Sequence, residues 1–281
     1  MVLLNMQETP APSIEFDRLS VSYGDHRILT EISLVIESGT LVVLLGPSGS
    51  GKTTLLRTVN RMIEPSTGRV LIGGEDVAKR NAVQLRRSIG YVMQSSGLFP
   101  HRTVVDNVAT VPRLLGMGQA EAKELALSTL DRVGLDRALA ARYPGQLSGG
   151  QQQRVGVARA LATDPQVILM DEPFGAVDPI TRRGLQRETR RLHEETKTTI
   201  LFVTHDVDEA LLLGDRIIVL DAAGRIAQDA APAEILADPA DDFVADLLGT
   251  TSGDRALQLR TSGDTELVVD RAGRPVGILE R

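Results

Sequence analysis

The chain has 281 residues, of which 42% are hydrophobic and 24% charged, and its net charge is −6. That composition describes an ordinary globular protein of one large domain, or one domain with an appendage, and the acidic balance argues against broad nucleic-acid binding. With no cysteine there is no disulfide framework or thiolate metal site, and no apolar run approaches the roughly 18 residues needed to cross a bilayer.

Residues 1–13 read as a loose tail, and their start lacks the basic stretch and apolar core of a secretory signal. Residues 14–21 and 32–36 alternate apolar with polar side chains and predict half-buried strands, with a turn at Ser22-Tyr23-Gly24-Asp25 between them. Residues 41–45 form a continuous apolar run, as expected of a strand buried on both faces. The stretch Gly46-Pro47-Ser48-Gly49-Ser50-Gly51-Lys52-Thr53-Thr54 comes next and fits the phosphate-binding pattern G-x-x-x-x-G-K-[ST]. After it, Leu55, Leu56, Val59 and Met62 recur at helical spacing. Strand, glycine loop and helix in that order leave backbone N–H groups converging at a helix N-terminus, where donors and dipole together bind an anion. In such a loop Lys52 bridges the outer phosphates and the Thr53 hydroxyl ligates Mg²⁺. The pattern predicts a nucleotide site.

Further short strands are expected at 70–72 and 89–93. From 103 to about 162 strand signals vanish and Ala, Leu, Glu and Arg dominate, with breaks at Pro112, Gly116, Gly134 and Pro144, which predicts a helical insertion. Strands return at 167–170, 199–203 and 216–220, separated by helical patterns at 182–195 and 207–213. This alternation predicts a mainly parallel sheet with ligands at the C-terminal strand ends. Residues 235–248 close the domain helically, 250–253 are a polar break, and 257–281 hold short strand-like pieces.

Two later segments carry chemistry. The apolar strand at 167–170 ends in Asp171 and Glu172. In a nucleotide enzyme the first such carboxylate holds Mg²⁺ and the second polarises the attacking water. The segment Leu147-Ser148-Gly149-Gly150-Gln151 follows a Pro-Gly break and opens a helical run, so Ser148 is a candidate cap and the glycines permit close approach of a ligand.

Phosphate loop, Leu-Ser-Gly-Gly-Gln and apolar-Asp-Glu, in that order, resemble the ATP-binding subunit of ABC transporters over residues 14–249. The resemblance implies an α/β fold: a P-loop NTPase core with a mainly parallel sheet, an N-terminal antiparallel β subdomain and an inserted helical subdomain at about 103–162. It implies ATP and Mg²⁺ as cofactors, with Mg²⁺ held by Thr53, Gln94 and Asp171. Catalysis would rest on Glu172, Gln94 and His205, and Tyr23 would stack on adenine. Ser148, Gly149, Gly150 and Gln151 would contact the γ-phosphate of ATP held by a second copy in a head-to-tail dimer, and Asp178 would reach across that dimer. The turn Gly175-Ala176-Val177-Asp178 departs from the more usual Ser-Ala-Leu-Asp. His26, His101 and His193 are expected to be surface or packing residues. The basic run Arg182, Arg183, Arg187, Arg190 and Arg191 is expected to be a solvated helix face paired with acids.

Residues 94–104, with 60–65 and 111–116, are similar to the importers of quaternary amines such as glycine betaine, carnitine and choline. That likeness implies transmembrane permease subunits and a substrate-binding protein as partners, no nucleic acid, and a place on the cytoplasmic face of the membrane through the permease. Residues 267–279 resemble one hairpin of a cystathionine-β-synthase (CBS) domain, and a small hairpin packed on the sheet or on a partner is the plainer alternative. Three other functions stay open: a soluble ABC ATPase, an importer ATPase for another small polar solute such as an amino acid, and a P-loop kinase. The first of these typically carries two fused units or a coiled coil, and the kinase has no use for Leu-Ser-Gly-Gly-Gln.

Overall fold

The computed structural model describes residues 10–175, 177–251, 255–262 and 265–279. Strands β1 (Ile14–Tyr23) and β2 (His26–Ile36) form a hairpin, and β3 (Leu41–Leu45) leads through the glycine loop into α1 (Lys52–Val59). Next come β4 (Thr67–Ile72), β5 (Glu75–Asp76), α2 (Ala82–Ser88) and β6 (Ile89–Val92). The insertion contains α3 (Val104–Val108), α4 (Thr110–Leu114), α5 (Gln119–Arg132) and α6 (Gly149–Leu161). The chain continues through β7 (Val167–Asp171), α7 (Pro179–Thr196), β8 (Thr199–Val203), α8 (Val207–Leu213), β9 (Arg216–Leu220) and β10 (Ile226–Ala230). Helices α9 (Pro232–Ala237) and α10 (Asp242–Leu248) precede β11 (Gln258–Ser262), β12 (Thr265–Val269) and β13 (Pro275–Ile278).

The central sheet has the order β10-β9-β3-β8-β7-β6, and only the β10–β9 pairing is antiparallel. All five residues of β3 are buried. Leu41, Val43 and Leu45 enter the core shared with the helices, while Val42 and Leu44 enter the core shared with the second sheet. That second sheet, β2-β1-β4-β5, is antiparallel and brings Ile14, Phe16 and Leu19 against them. Each such side chain contributes about 1.5–3 kcal/mol through removal from water. The expected α/β class, with an antiparallel unit first and a helical unit inserted, is the one observed.

Several boundaries differ from the sequence reading. Strand β2 starts at His26 rather than at 32, because register shifts between β1 and β2 break the period-two pattern. Helix α1 stops at Val59 with Asn60 as its C-cap, so Met62 lies beyond the helix and is exposed. Helix α2, seven residues long, and the edge strand β10 are too short to leave a periodic signal. The single helix expected at 235–248 is two, with Asp241 capping α10 by accepting from Val244 N. The end of the tail is not loose: Ser38 Oγ donates to Ala11 O, Thr199 Oγ1 donates to Pro12 O at 2.8 Å, and Gly73 N donates to Ser13 O at 2.9 Å. Its first nine residues lie outside the described residues. Residues 267–279 form the β12–β13 hairpin, with β11 added as a third strand.

Candidate active site

The parallel register determines where the chemistry gathers. Leu44 pairs with Val203, Asp171 with Val203, and Val92 with Met170, so the C-terminal ends of β3, β8, β7 and β6 lie side by side. The loops leaving those ends carry Lys52, His205, Glu172 and Gln94. Gly51, the N-cap of α1, has φ +90, and a Cβ there would lie 2.6 Å from Leu29 Cδ2. Only glycine fits both the left-handed backbone and the close approach of β2. Lys52 is buried, and its Nζ donates to Gly46 O at 2.8 Å and Pro47 O at 2.7 Å. Burial pulls its pKa below the usual lysine value, while Glu172 and Asp171 push it back up. Ser48 and Gly49 are exposed at the loop tip, and Thr54 continues α1 behind Thr53.

Thr53 Oγ1 donates to Asp171 Oδ1 at 2.6 Å, although the two residues are 118 positions apart. A hydroxyl and a carboxylate held together are the hard oxygen donors that Mg²⁺ takes alongside substrate phosphates, so the pair fits that ion. Among the described residues no group of three or more His, Asp or Glu side chains could hold a metal by itself. An ion bound here would need further oxygen ligands from outside the protein, such as water or a phosphate.

Glu172 stands at the centre of the cluster. Gln94 Nε2 donates to its Oε2 at 3.1 Å, and His205 Nδ1 lies 3.2 Å from its Oε1. Its N–H donates to Val203 O at 2.9 Å, and its φ is +45. A non-glycine residue in that region costs on the order of 1–3 kcal/mol, and such strain collects at functional sites. The kink ends the period-two alternation of β7, leaving Asp171 buried beside Thr53 and Glu172 partly open between Gln94 and His205.

The other expected ligand residues stand apart from this cluster. Ser148 is exposed and caps α6 in a reciprocal box: Gln151 N donates to Ser148 Oγ at 3.3 Å, and Ser148 N donates to Gln151 Oε1 at 2.9 Å. Gly150 is buried against α7, where a Cβ would lie 2.3 Å from Thr181 Cγ2, so its lack of a side chain serves helix packing. Asp178 is exposed and caps α7 by accepting from Thr181 N at 3.1 Å, and that hydroxyl and amide hold its carboxyl below the usual range. Its neighbour Ala176 lies outside the described residues. Tyr23 is 57% exposed at the β1–β2 turn, its ring free to stack. His193 is buried between Thr198 O and Asp215, and His101 lies against Phe99, as packing residues do. Arg190 and Arg191 pair with Glu194, Asp215, Glu188 and Glu195, as the charge run predicts. Arg182 likewise pairs with Asp206 at 3.6 Å, although its buried Nε has no hydrogen-bond partner among the described residues.

A groove of about 660 Å³ lies beside the segment that leaves Gln94, lined by Phe99, Arg102, Arg113, Leu114 and Lys123. Arg102 covers the Phe99 ring at 4.9 Å. No described helix is long and apolar enough to cross a membrane.

Two residues that hold Asp171 escape the sequence reading. Arg57 Nη2 and Tyr91 OH each lie 3.3 Å from Asp171 Oδ2. Arg57 carries a usable signal, since it follows Thr53 by four positions and shares its helix face. Tyr91 carries none, because only the β6–β7 pairing brings it alongside.

Comparison with known proteins gives a consistent picture. The model of the ABC transporter family matches residues 29–175. The osmoprotectant import ATP-binding protein OsmV of Salmonella typhimurium is 50% identical over 239 residues, covering 85% of this chain and 62% of that protein. The glycine betaine/carnitine/choline transport ATP-binding protein OpuCA of Bacillus subtilis is 48% identical over 248 residues, covering 88% of this chain and 64% of that protein. The chain thus spans less than two thirds of the length of either relative. Among solved structures, the dimeric post-hydrolysis state of the ATP-binding cassette MJ0796 bound to ADP and Pi aligns with TM-score 0.71 and 34% identity. That alignment covers 78% of this chain and 98% of the cassette.

Proposed function

The chain belongs to the ABC transporter family, and from that premise we propose that it hydrolyses ATP as the motor subunit of a membrane importer. The observation that carries the proposal is the carboxylate of Glu172, gripped on one oxygen by Gln94 and approached on the other by His205, beside the Thr53–Asp171 pair. Glu172 takes the proton of the attacking water as its oxygen bonds to the γ-phosphorus and the bond to ADP breaks. Gln94, being neutral, orients that water without repelling the triphosphate. Lys52 and the loop N–H groups bind the phosphates, and His205 faces the charge that develops on the γ-phosphate. Mg²⁺, for which Thr53, Asp171 and Gln94 are the candidate holders, supplies neutralisation of the phosphate oxygens when bound.

Ser148, Gly149, Gly150 and Gln151 are proposed to cap the γ-phosphate of ATP on a second copy, with Asp178 crossing the same interface and Tyr23 stacking on adenine. The exposure of Ser148 and Asp178, each of which caps its own helix, supports this. Two-fold head-to-tail pairing completes both sites at once. The groove at Phe99 and Leu114 is proposed to receive a permease helix, holding the chain at the cytoplasmic face of the membrane alongside a substrate-binding protein. The cargo proposed is a quaternary-amine osmoprotectant, supported by the names of OsmV and OpuCA. Residues 250–281 are proposed as an appendage resembling part of a CBS domain.

Glu172→Gln tests the core of the proposal. Hydrolysis of Mg-ATP should fall by about 10²–10⁴-fold while an ATP-bound dimer accumulates in size-exclusion chromatography. A variant hydrolysing at the wild-type rate would place the base elsewhere. Uptake of labelled glycine betaine, choline and carnitine by cells with and without the chain tests the cargo, and unchanged uptake of all three rejects it.

A further inference from the structure

On the reading that Gln94 and Glu172 serve ATP hydrolysis, we propose that Arg159 is a positioning residue that ties α6, the helix opened by Ser148, to the segment carrying Gln94. Arg159 stands near the far end of α6 from Ser148, along a helix about 20 Å long. Its Nη1 donates to Gly97 O at 2.7 Å and its Nη2 to Ser96 O at 2.9 Å, two consecutive carbonyls of the strand-end loop. The same stretch of helix makes two more side-chain contacts with that loop and one close backbone approach. Ser96 Oγ lies 3.5 Å from Gln152 Oε1, Gln153 Nε2 donates to Met93 O at 3.4 Å, and a Cβ on Gly156 would lie 3.3 Å from Ser96 O. Residues 152, 156 and 159 are one helix stripe. The grip therefore brackets Gln94 from Met93 to Gly97, while Gln94 itself holds Glu172.

Among the described residues no carboxylate pairs with the Arg159 guanidinium. Burial pulls its pKa down, and no charged neighbour offsets that pull. Taking a guanidinium out of water without a carboxylate is costly, and the two carbonyl bonds are what compensates. The planar fork reaches both carbonyls at once, which the single ammonium of lysine does not. A change at Gln94 on engaging the γ-phosphate is thereby passed along a rigid helix to the Ser148 end, and the reverse.

A double-mutant cycle of Arg159→Lys and Gln94→Ala, read by steady-state ATP hydrolysis, tests this, with ATP affinity measured in the absence of Mg²⁺ as the second readout. Arg159→Lys should lower kcat about tenfold with ATP affinity and Tm nearly unchanged, and should cost less than about twofold once Gln94 is Ala. If Arg159→Lys does not fold, Gln152→Ala and Gln153→Ala together replace it in the cycle with the same expected non-additivity. Additive losses, or parallel falls in kcat, ATP affinity and Tm, overturn the Arg159 proposal while leaving the site intact. Full hydrolysis by Gln94→Ala alone overturns the reading of the site, and the Arg159 proposal with it.

Discussion

The Lys52 loop and the Ser148 helix end are both glycine-flanked helix starts, yet the fold treats them oppositely. Around Lys52 four strand ends converge, and Thr53, Asp171, Glu172, Gln94 and His205 form a connected cluster. At the other start, Ser148 and Gln151 cap each other reciprocally, and Ser148 and Gly149 remain exposed. One end is held by long-range contacts between strand ends, while the Ser148 and Gln151 side chains at the other are joined in a local cap. The difference teaches that two helix starts of like composition can be finished differently: one by side chains gathered from distant strand ends, the other by its own capping box.

The comparison can be broken at the Lys52 end first. Lys52→Ala removes a buried cation, and nucleotide affinity measured by fluorescence titration should weaken by about 2–3 kcal/mol, roughly 30–160-fold. Affinity within a few-fold of wild type would mean that the loop binds without its lysine. At the opposite end, Ser148→Asp keeps a good helix cap but places a negative charge where the partner's γ-phosphate is proposed to sit. In a Glu172→Gln background the ATP-dependent dimer should weaken by at least about tenfold, with Tm and single-copy ATP affinity unchanged. Undiminished dimer, by analytical ultracentrifugation, would detach Ser148 from the interface.

The smallest expected effect sharpens the first region from behind. Glu209 is buried, with Thr204 Oγ1 donating to it at 2.7 Å and Gln186 Nε2 at 3.2 Å. Burial holds its carboxyl above the ordinary value of 4.5, and those two hydrogen bonds only partly offset it. The folded chain therefore binds this proton more tightly than the unfolded chain does. The linked stability is full below pH 4.5 and is lost as pH rises through the folded pKa. Glu209→Gln lacks that loss, so the wild-type advantage in urea denaturation should shrink from pH 5 to pH 8. An advantage that grows with pH would contradict the assignment.

Much of the site is legible in the order of residues alone. The run at 41–45, the glycines after it and Lys52-Thr53 announce strand, loop and helix, because local backbone chemistry dictates all three. Motif order singles out Thr53 and Asp171 separately, and the structure brings them together at 2.6 Å. Less is legible where periodicity fails. The register shifts in β1 and β2 hide half a strand, and α2 and β10 are too short to mark. Arg57 and Tyr91 are ordinary residues that acquire meaning only through what they touch.

The sequence by itself therefore determined the class of the fold, the glycine loop that opens α1 and which carboxylates end a buried strand. Those properties depend on neighbours in the chain. Only the tertiary structure decided that Gln94 meets Glu172 across 78 positions, that Glu172 is turned into a left-handed kink, and that Arg159 grips the loop behind Gln94. These contacts depend on the parallel pairing of β6, β7 and β8 and on one helix packed over a loop, and no local pattern encodes long-range pairing of that kind.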